Sequence, residues 1–82
     1  MIRAEVFIAT GCHLCPPVVE AARSACAAAG GVELVITDID GVVELEHAYR
    51  AIIPVVEVDG SEIGRYLITE GEIATALRRS GS

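Results

Sequence analysis

Two cysteines three positions apart, Cys12 and Cys15, sit in the stretch Gly11-Cys12-His13-Leu14-Cys15-Pro16-Pro17. They are the side chains of this chain whose type and spacing best suit chemistry. The thiolate is the nucleophilic form of cysteine, and a three-residue spacing in a helical turn brings two sulfurs within bonding reach. The chemistry implied is thiol–disulfide exchange. Cys12 attacks a substrate disulfide, and Cys15, one turn on and more buried, resolves the mixed disulfide. The pair follows the apolar run Val6-Phe7-Ile8 and precedes a helical pattern. A thiol at or just before a helix N-terminus becomes more acidic through backbone donors and the helix dipole. His13 adds positive charge there when protonated. Pro16 and Pro17 fit a first helical turn, where a missing donor costs nothing. The residue before a proline avoids helical backbone, so the regular helix is expected from Pro16 rather than Cys12.

The elements that must hold this pair follow from periodicity. Arg3 to Ile8 reads as a strand covered on both faces. From Leu14 to Ala29 the residues Val18, Val19, Ala22, Ala25, Cys26 and Ala29 recur at three- and four-residue spacing, which is a helix. Gly30-Gly31 ends it. Val32 to Asp38 is a second strand, rich in β-branched residues. Val42 to Arg50 is a short helix with two candidate inner faces, Val43/His47/Arg50 or Leu45/Ala48/Tyr49. Ile53 to Val58 is a third strand, Asp59-Gly60 a hairpin turn, and Ser61 to Ile68 a returning fourth strand. Thr69 with Glu72 forms a capping-box pattern for a last helix, Glu70 to Arg79, with Ile73, Ala76 and Leu77 inward. The order strand–helix–strand–helix–strand–strand–helix makes the first two strands parallel and the last two an antiparallel hairpin.

The chain of 82 residues is expected to be a single domain over residues 1–82. It is 52% hydrophobic with only 4% aromatic residues, so aliphatic side chains must fill the core. Lys and Arg total 6 against 12 acids, a formal charge of −6. That excludes a phosphate-backbone binder, which needs clustered positive charge. No apolar run approaches the ~20 residues of a membrane span, and no signal-peptide pattern opens the sequence. Three cysteines do not suit a secreted disulfide framework. A reducing cytoplasm is the expected setting, and there a close pair is catalytic or metal-binding rather than structural.

The remaining reactive side chains read more plainly. Cys26 lies ~16 Å along the helix from Cys15 and reads as a small buried apolar residue. His47 reads as a surface residue of the short helix. Asp38, Asp40 and Asp59 suit strand ends and turns. Glu5 reads as a solvated strand position rather than a proton acceptor for the thiols.

Taken together, Cys12-His13-Leu14-Cys15 after the first strand and Ile53-Pro54-Val55 opening the third resemble the thioredoxin fold. They resemble its glutaredoxin-like branch in particular, and within it the small bacterial glutaredoxin-like proteins whose cysteine pair encloses His-Leu. The resemblance covers almost the whole chain. It implies an α/β fold with a four-stranded mixed sheet and helices on both faces. It also implies a cis bond before Pro54, with that proline facing the cysteine pair. By the same resemblance Cys12 and Cys15 are catalytic, and His13, Leu14, Ile53 and Pro54 contact the substrate. No cofactor or metal is implied, and an external thiol supplies electrons. Glutathione-binding members carry a base shortly before the first cysteine, where this chain has Ala9, Thr10 and Gly11. They carry Gly-Gly and an acid after the fourth strand, where it has Leu67-Ile68-Thr69-Glu70-Gly71. Their base two or three residues before the proline has its counterpart here in Arg50, four before Pro54. These departures weigh against glutathione and leave a thioredoxin-reductase-type donor as an alternative.

The function expected is a monomeric dithiol–disulfide oxidoreductase acting on protein or small-molecule disulfides, without nucleic-acid or membrane partners. Two other classes compete with it. A metal module would use Cys12, His13, Cys15 and Cys26 or His47, but it lacks a second thiol pair at zinc-site spacing. An adaptor of the same fold would use the pair as a regulatory disulfide and the Leu14 and Ile53 surface as a docking patch.

Overall fold

A computed structural model describes residues 2–80. Its elements are β1 (Ile2–Ile8), α1 (Cys15–Ala29), β2 (Val32–Asp38), α2 (Val43–Tyr49), β3 (Val55–Val58), β4 (Ser61–Arg65) and α3 (Glu70–Ser80). The four strands form one mixed sheet in the order β2-β1-β3-β4. β1 runs parallel to β2 in a register that sets Ile2 beside Val32 and Ile8 beside Asp38. β3 is antiparallel to β1, with Phe7 beside Val55, and β4 is antiparallel to β3. This is the thioredoxin-like layout that the element order implies.

The two-residue alternation of β1 divides the core. Ala4 and Val6 face α1 and α3, where they meet Val18, Ala22, Ala25, Cys26, Ile73 and Leu77. Phe7 points to the other face and packs with Ala9, Ile39 and Val55 beneath α2. α1 and α3 thus share one side of the sheet, and the short α2 covers part of the other. The hairpin turn forms because Asp59 and Gly60 both take positive φ, 50° and 85°, as a type I′ turn requires. The capping box at α3 is complete. The Glu72 N–H donates to Thr69 Oγ1 at 3.1 Å, and the Thr69 N–H donates to Glu72 Oε1 at 3.0 Å.

Several boundaries differ from those expected. α1 begins at Cys15, with Leu14 as its N-cap, rather than at Pro16. β3 starts at Val55 instead of Ile53, since Pro54 has no N–H to give a ladder. The Pro54 carbonyl instead accepts the Tyr66 N–H at 2.8 Å. β4 stops at Arg65 rather than Ile68, because Tyr66 turns to φ 68° and Ile68 folds back into the core. A Cβ at Gly64 would lie 2.9 Å from Ile68 Cγ1, so that return needs glycine at 64. In α2, Leu45 and Tyr49 face the sheet while Val43, His47 and Ala48 are exposed. Tyr49 decides between the two candidate faces. Its ring stacks on Phe7 with centroids 4.0 Å apart and planes 10° from parallel.

Glu5 corrects another expectation. It is half-buried rather than solvated, accepts a hydrogen bond from Thr37 Oγ1 at 2.6 Å, and has Arg3 at 3.8 Å. Glu57 lies beside it in the register and accepts the Tyr49 hydroxyl at 2.9 Å. Burial first, and then that bond to Glu57, push the Tyr49 phenol up. Asp38, Asp40 and Asp59 do sit at strand ends and turns.

Candidate active site

The C-terminal end of β1 carries the cysteine loop. After Ile8 the chain turns through Ala9-Thr10-Gly11, with Gly11 at φ 84°. The Cys12 N–H returns to the Ala9 carbonyl at 3.3 Å. Cys12 therefore stands in a turn ahead of the helix, partly exposed. Cys15 is the first residue of α1 and is buried, with 4% of its surface accessible. The two form a disulfide across a Cα–Cα distance of 5.5 Å. The exposed sulfur is the one an incoming disulfide can reach, and the buried one is the natural resolving partner.

The first turn of α1 is short of donors. A helix normally presents free N–H groups in its first turn, but Pro16 and Pro17 have none. Leu14 makes no side-chain cap, and no acid lies in this turn. The thiol pair thus meets a helix end with two of its usual donors missing.

Two loops that flank the cysteines are tied together by ions. The Asp40 carboxylate accepts the Thr10 N–H at 2.9 Å, two residues before Cys12, and lies 3.3 Å from an Arg50 guanidinium nitrogen. That guanidinium also meets Glu46 at 3.1 Å, and Glu46 accepts the Gly41 N–H at 3.0 Å. The Thr10 N–H holds the Asp40 carboxyl below the usual carboxylate range, with Arg50 adding to it. The Gly41 N–H, then Arg50, do the same for Glu46. Beneath the loops lies the apolar cluster of Phe7, Ala9, Ile39 and Val55.

The Ile53–Pro54 bond is cis. Continuing the β1–β3 register past Phe7 and Val55 sets Pro54 at the level of Ile8, on the same sheet end as Cys12. Pro54 is buried and Ile53 half-buried. His13 is exposed, and Leu14 is exposed to 37%. Cys26 is a free thiol buried in the main core, and burial pushes it up. It is a core side chain in the later turns of α1, away from the pair at the helix start. Among the described residues, no group of three or more His, Cys, Asp and Glu side chains is gathered to hold a metal ion.

A pocket of about 360 Å³ adjoins the disulfide on the α1 side, bordered by Ile8, Gly11, Cys12, Cys15, Pro16 and Val19 among others. A larger groove of about 970 Å³ runs between β4 and α3, with Ile63, Thr75 and Arg79 in its walls. It includes no residue of the cysteine loop.

The fold is shared with known proteins. The description "Glutaredoxin-like domain (DUF836)" matches residues 4–78. The chain belongs to that glutaredoxin-like family. Among solved structures it is similar to target protein XcR50 from X. campestris, at 27% identity and a TM-score of 0.75, over 93% of this chain and 96% of that one. It also resembles thioredoxin-2 of the malaria parasite at 13% identity and a TM-score of 0.76, over 96% and 82% of the two chains. Mitochondrial thioredoxin 3 from Saccharomyces cerevisiae, in its oxidised form, matches at 23% identity and a TM-score of 0.62, over 96% and 74%. The last two likenesses speak for the fold alone. No curated protein matches the chain.

Within this glutaredoxin-like frame, the sequence pattern missed two sets of residues. The Asp40–Arg50–Glu46 group carried no motif, since its members meet only when the loops fold. Val19, a residue of the helical pattern, also borders the pair. It lies four residues after Cys15, and i,i+4 neighbours share a helix face.

Proposed function

We propose that this glutaredoxin-like protein is a dithiol–disulfide oxidoreductase that reduces disulfides in proteins or small molecules. The observation that carries the reading is the asymmetry of the pair, with Cys12 accessible in a turn and Cys15 buried at the helix start. The Cys12 thiolate attacks one sulfur of the substrate disulfide, and the other sulfur leaves as a thiolate that takes a proton from water. The Cys15 thiolate then attacks the Cys12 sulfur, releases the second substrate thiolate and closes the Cys12–Cys15 disulfide. Two electrons pass to the substrate, and an external thiol donor returns two to the pair.

Leu14, His13 and Ile53 border the route by which a substrate chain approaches, and the Ile53 backbone beside Pro54 is the segment it would pair with. A donor other than glutathione is supported by charge. Arg50, the base nearest before Pro54, is already shared by Asp40 and Glu46, and positions 9 to 11 hold no base. The working protein is a cytoplasmic monomer in this reading.

The test is turnover of 2-hydroxyethyl disulfide and of insulin, with dithiothreitol as reductant. Cys12→Ser should abolish turnover, and Cys15→Ser should accumulate mixed disulfides. Unchanged turnover in Cys12→Ser would overturn the roles assigned. Parallel assays with glutathione and with a thioredoxin reductase identify the donor, and reduction by glutathione alone would contradict the charge argument. Capture of one stable partner by Cys15→Ser, without turnover, would favour the adaptor.

A further inference from the structure

We infer that the pocket beside the disulfide is a specificity subsite, and that it receives an apolar side chain adjacent to the reacting cysteine of a polypeptide substrate. The inference rests on the oxidoreductase reading and adds a substrate preference to it.

The pocket shares Cys12 and Cys15 with the reactive pair and holds about 360 Å³, room for a large side chain. Its other walls are mainly aliphatic: Ile8 from the end of β1, and Pro16 and Val19 from the first turns of α1. Ile8 and Val19 are only partly covered by the core they lean on. Gly11 leaves the entrance open, since no atom lies within 4 Å of where its Cβ would be. None of the lining residues belongs to the Ile53–Pro54 loop or to α3. This subsite is therefore built from the end of β1, the cysteine loop and α1, apart from the Ile53–Pro54 loop.

Continuity with the reaction selects the occupant. During turnover the substrate cysteine is bonded to the Cys12 sulfur, so its immediate neighbours in the chain are held at the mouth of this pocket. A small symmetric disulfide has nothing to place there, whereas a peptide does. Glu20 stands at the rim, exposed and 3.8 Å from Arg23. An aspartate or glutamate beside the substrate cysteine would meet that carboxylate and an aliphatic wall together. A leucine or phenylalanine would bury its surface instead.

The experiment uses the full chain and a set of disulfide-linked peptides that differ only next to cysteine, with Leu, Phe, Gly or Asp at that place. kcat/KM is measured with dithiothreitol, and 2-hydroxyethyl disulfide serves as the small substrate. The wild type should prefer Leu to Gly by roughly tenfold, the scale of discrimination available to an apolar pocket, with Asp poorer still. Val19→Trp fills the pocket and should bring the Leu/Gly ratio to within about twofold of unity. Val19→Ala enlarges it and should raise the Phe/Leu ratio. The ratios cancel any general loss of activity, and the alanine variant keeps the test sound if the tryptophan does not fold. Turnover of the small disulfide with Leu/Gly ratios near unity in the wild type would overturn the subsite alone. So would ratios that neither substitution changes. Absence of turnover with every disulfide would overturn the oxidoreductase reading, and the subsite with it.

Discussion

Ile39→Ala tests whether the small cluster under the cysteine loop is a packed core. Ile39 has 0% of its surface accessible and is among the largest fully buried side chains. Its N–H donates to the Ile8 carbonyl at 2.9 Å, and its side chain packs with Phe7, Ala9 and Val55. The substitution deletes three carbons. At ~0.8 kcal/mol per buried methylene, the transfer loss is about 2.4 kcal/mol. A cavity term is added, and the full range for such truncations is about 2–5 kcal/mol. Here the cavity term should be small. α2, which forms the roof, contains no buried residue, and Leu45, Tyr49 and Ile52 are only partly covered, so they can settle inward. The expected loss is about 3 kcal/mol. Ile73→Ala provides the comparison. Ile73 is equally buried, but between α1 and the sheet, where helix and strand backbones cannot close the gap, and about 4 kcal/mol is expected. For a domain of this size ~1 kcal/mol moves Tm by about 4–8 °C, so Ile39→Ala should lower Tm by about 12–24 °C. Urea and thermal unfolding of the oxidised proteins, followed by circular dichroism, measure both losses. A loss below about 1 kcal/mol for Ile39→Ala, at an unchanged m-value, would refute the account of the second cluster.

Other outcomes follow from the same coordinates. Restoring N–H groups to the first turn of α1 with Pro16→Ala or Pro17→Ala should make Cys12 more acidic. The midpoint of its alkylation by iodoacetamide should move down by roughly 0.5 pH unit, equivalent to about 0.7 kcal/mol; no movement would mean that these donors do not reach the sulfur. Acid should unfold the protein through its hydrogen-bonded carboxylates. Asp40, Glu46, Asp59 and Glu72 are all held below the usual range by N–H or hydroxyl donors, with Arg50 adding to this at Asp40 and Glu46. Their stabilisation is complete above the ordinary carboxylate range and is lost as pH falls through the lowered folded values. Tm should therefore drop across that interval, and Asp40→Asn should flatten the drop; an identical pH profile in Asp40→Asn would count against the Thr10 tie. Removing the α3 cap with Thr69→Ala should cost about 1 kcal/mol in urea unfolding, and no loss would show that the reciprocal bonds to Glu72 add nothing in solution.

The elements, the parallel first two strands and the closing hairpin were legible in the residue pattern. Periodicity marked α1 from Leu14 to Ala29, β-branched composition marked β2 to the residue, and Asp59-Gly60 and Thr69 with Glu72 marked a turn and a cap. These are local signals, carried by backbone preferences within a few residues, and for that reason they can be read in one dimension. The Cys12–Cys15 pair was legible on the same ground, because its chemistry depends on a three-residue spacing. Tertiary structure decided the rest. Which face of α2 turns inward depended on Phe7 being there to stack on Tyr49. Where β4 ends depended on Ile68 finding space over Gly64. Glu5 became half-buried between Val35 and Glu57, its partners across the sheet, and took Thr37 as its hydrogen-bond donor, which sequence proximity does not reveal. The tie from Thr10 through Asp40 to Arg50, and the pocket between Ile8 and Val19, exist only where separate segments converge. Long-range contacts depend on how the whole chain packs, and the side chains that could select a substrate were set at that level.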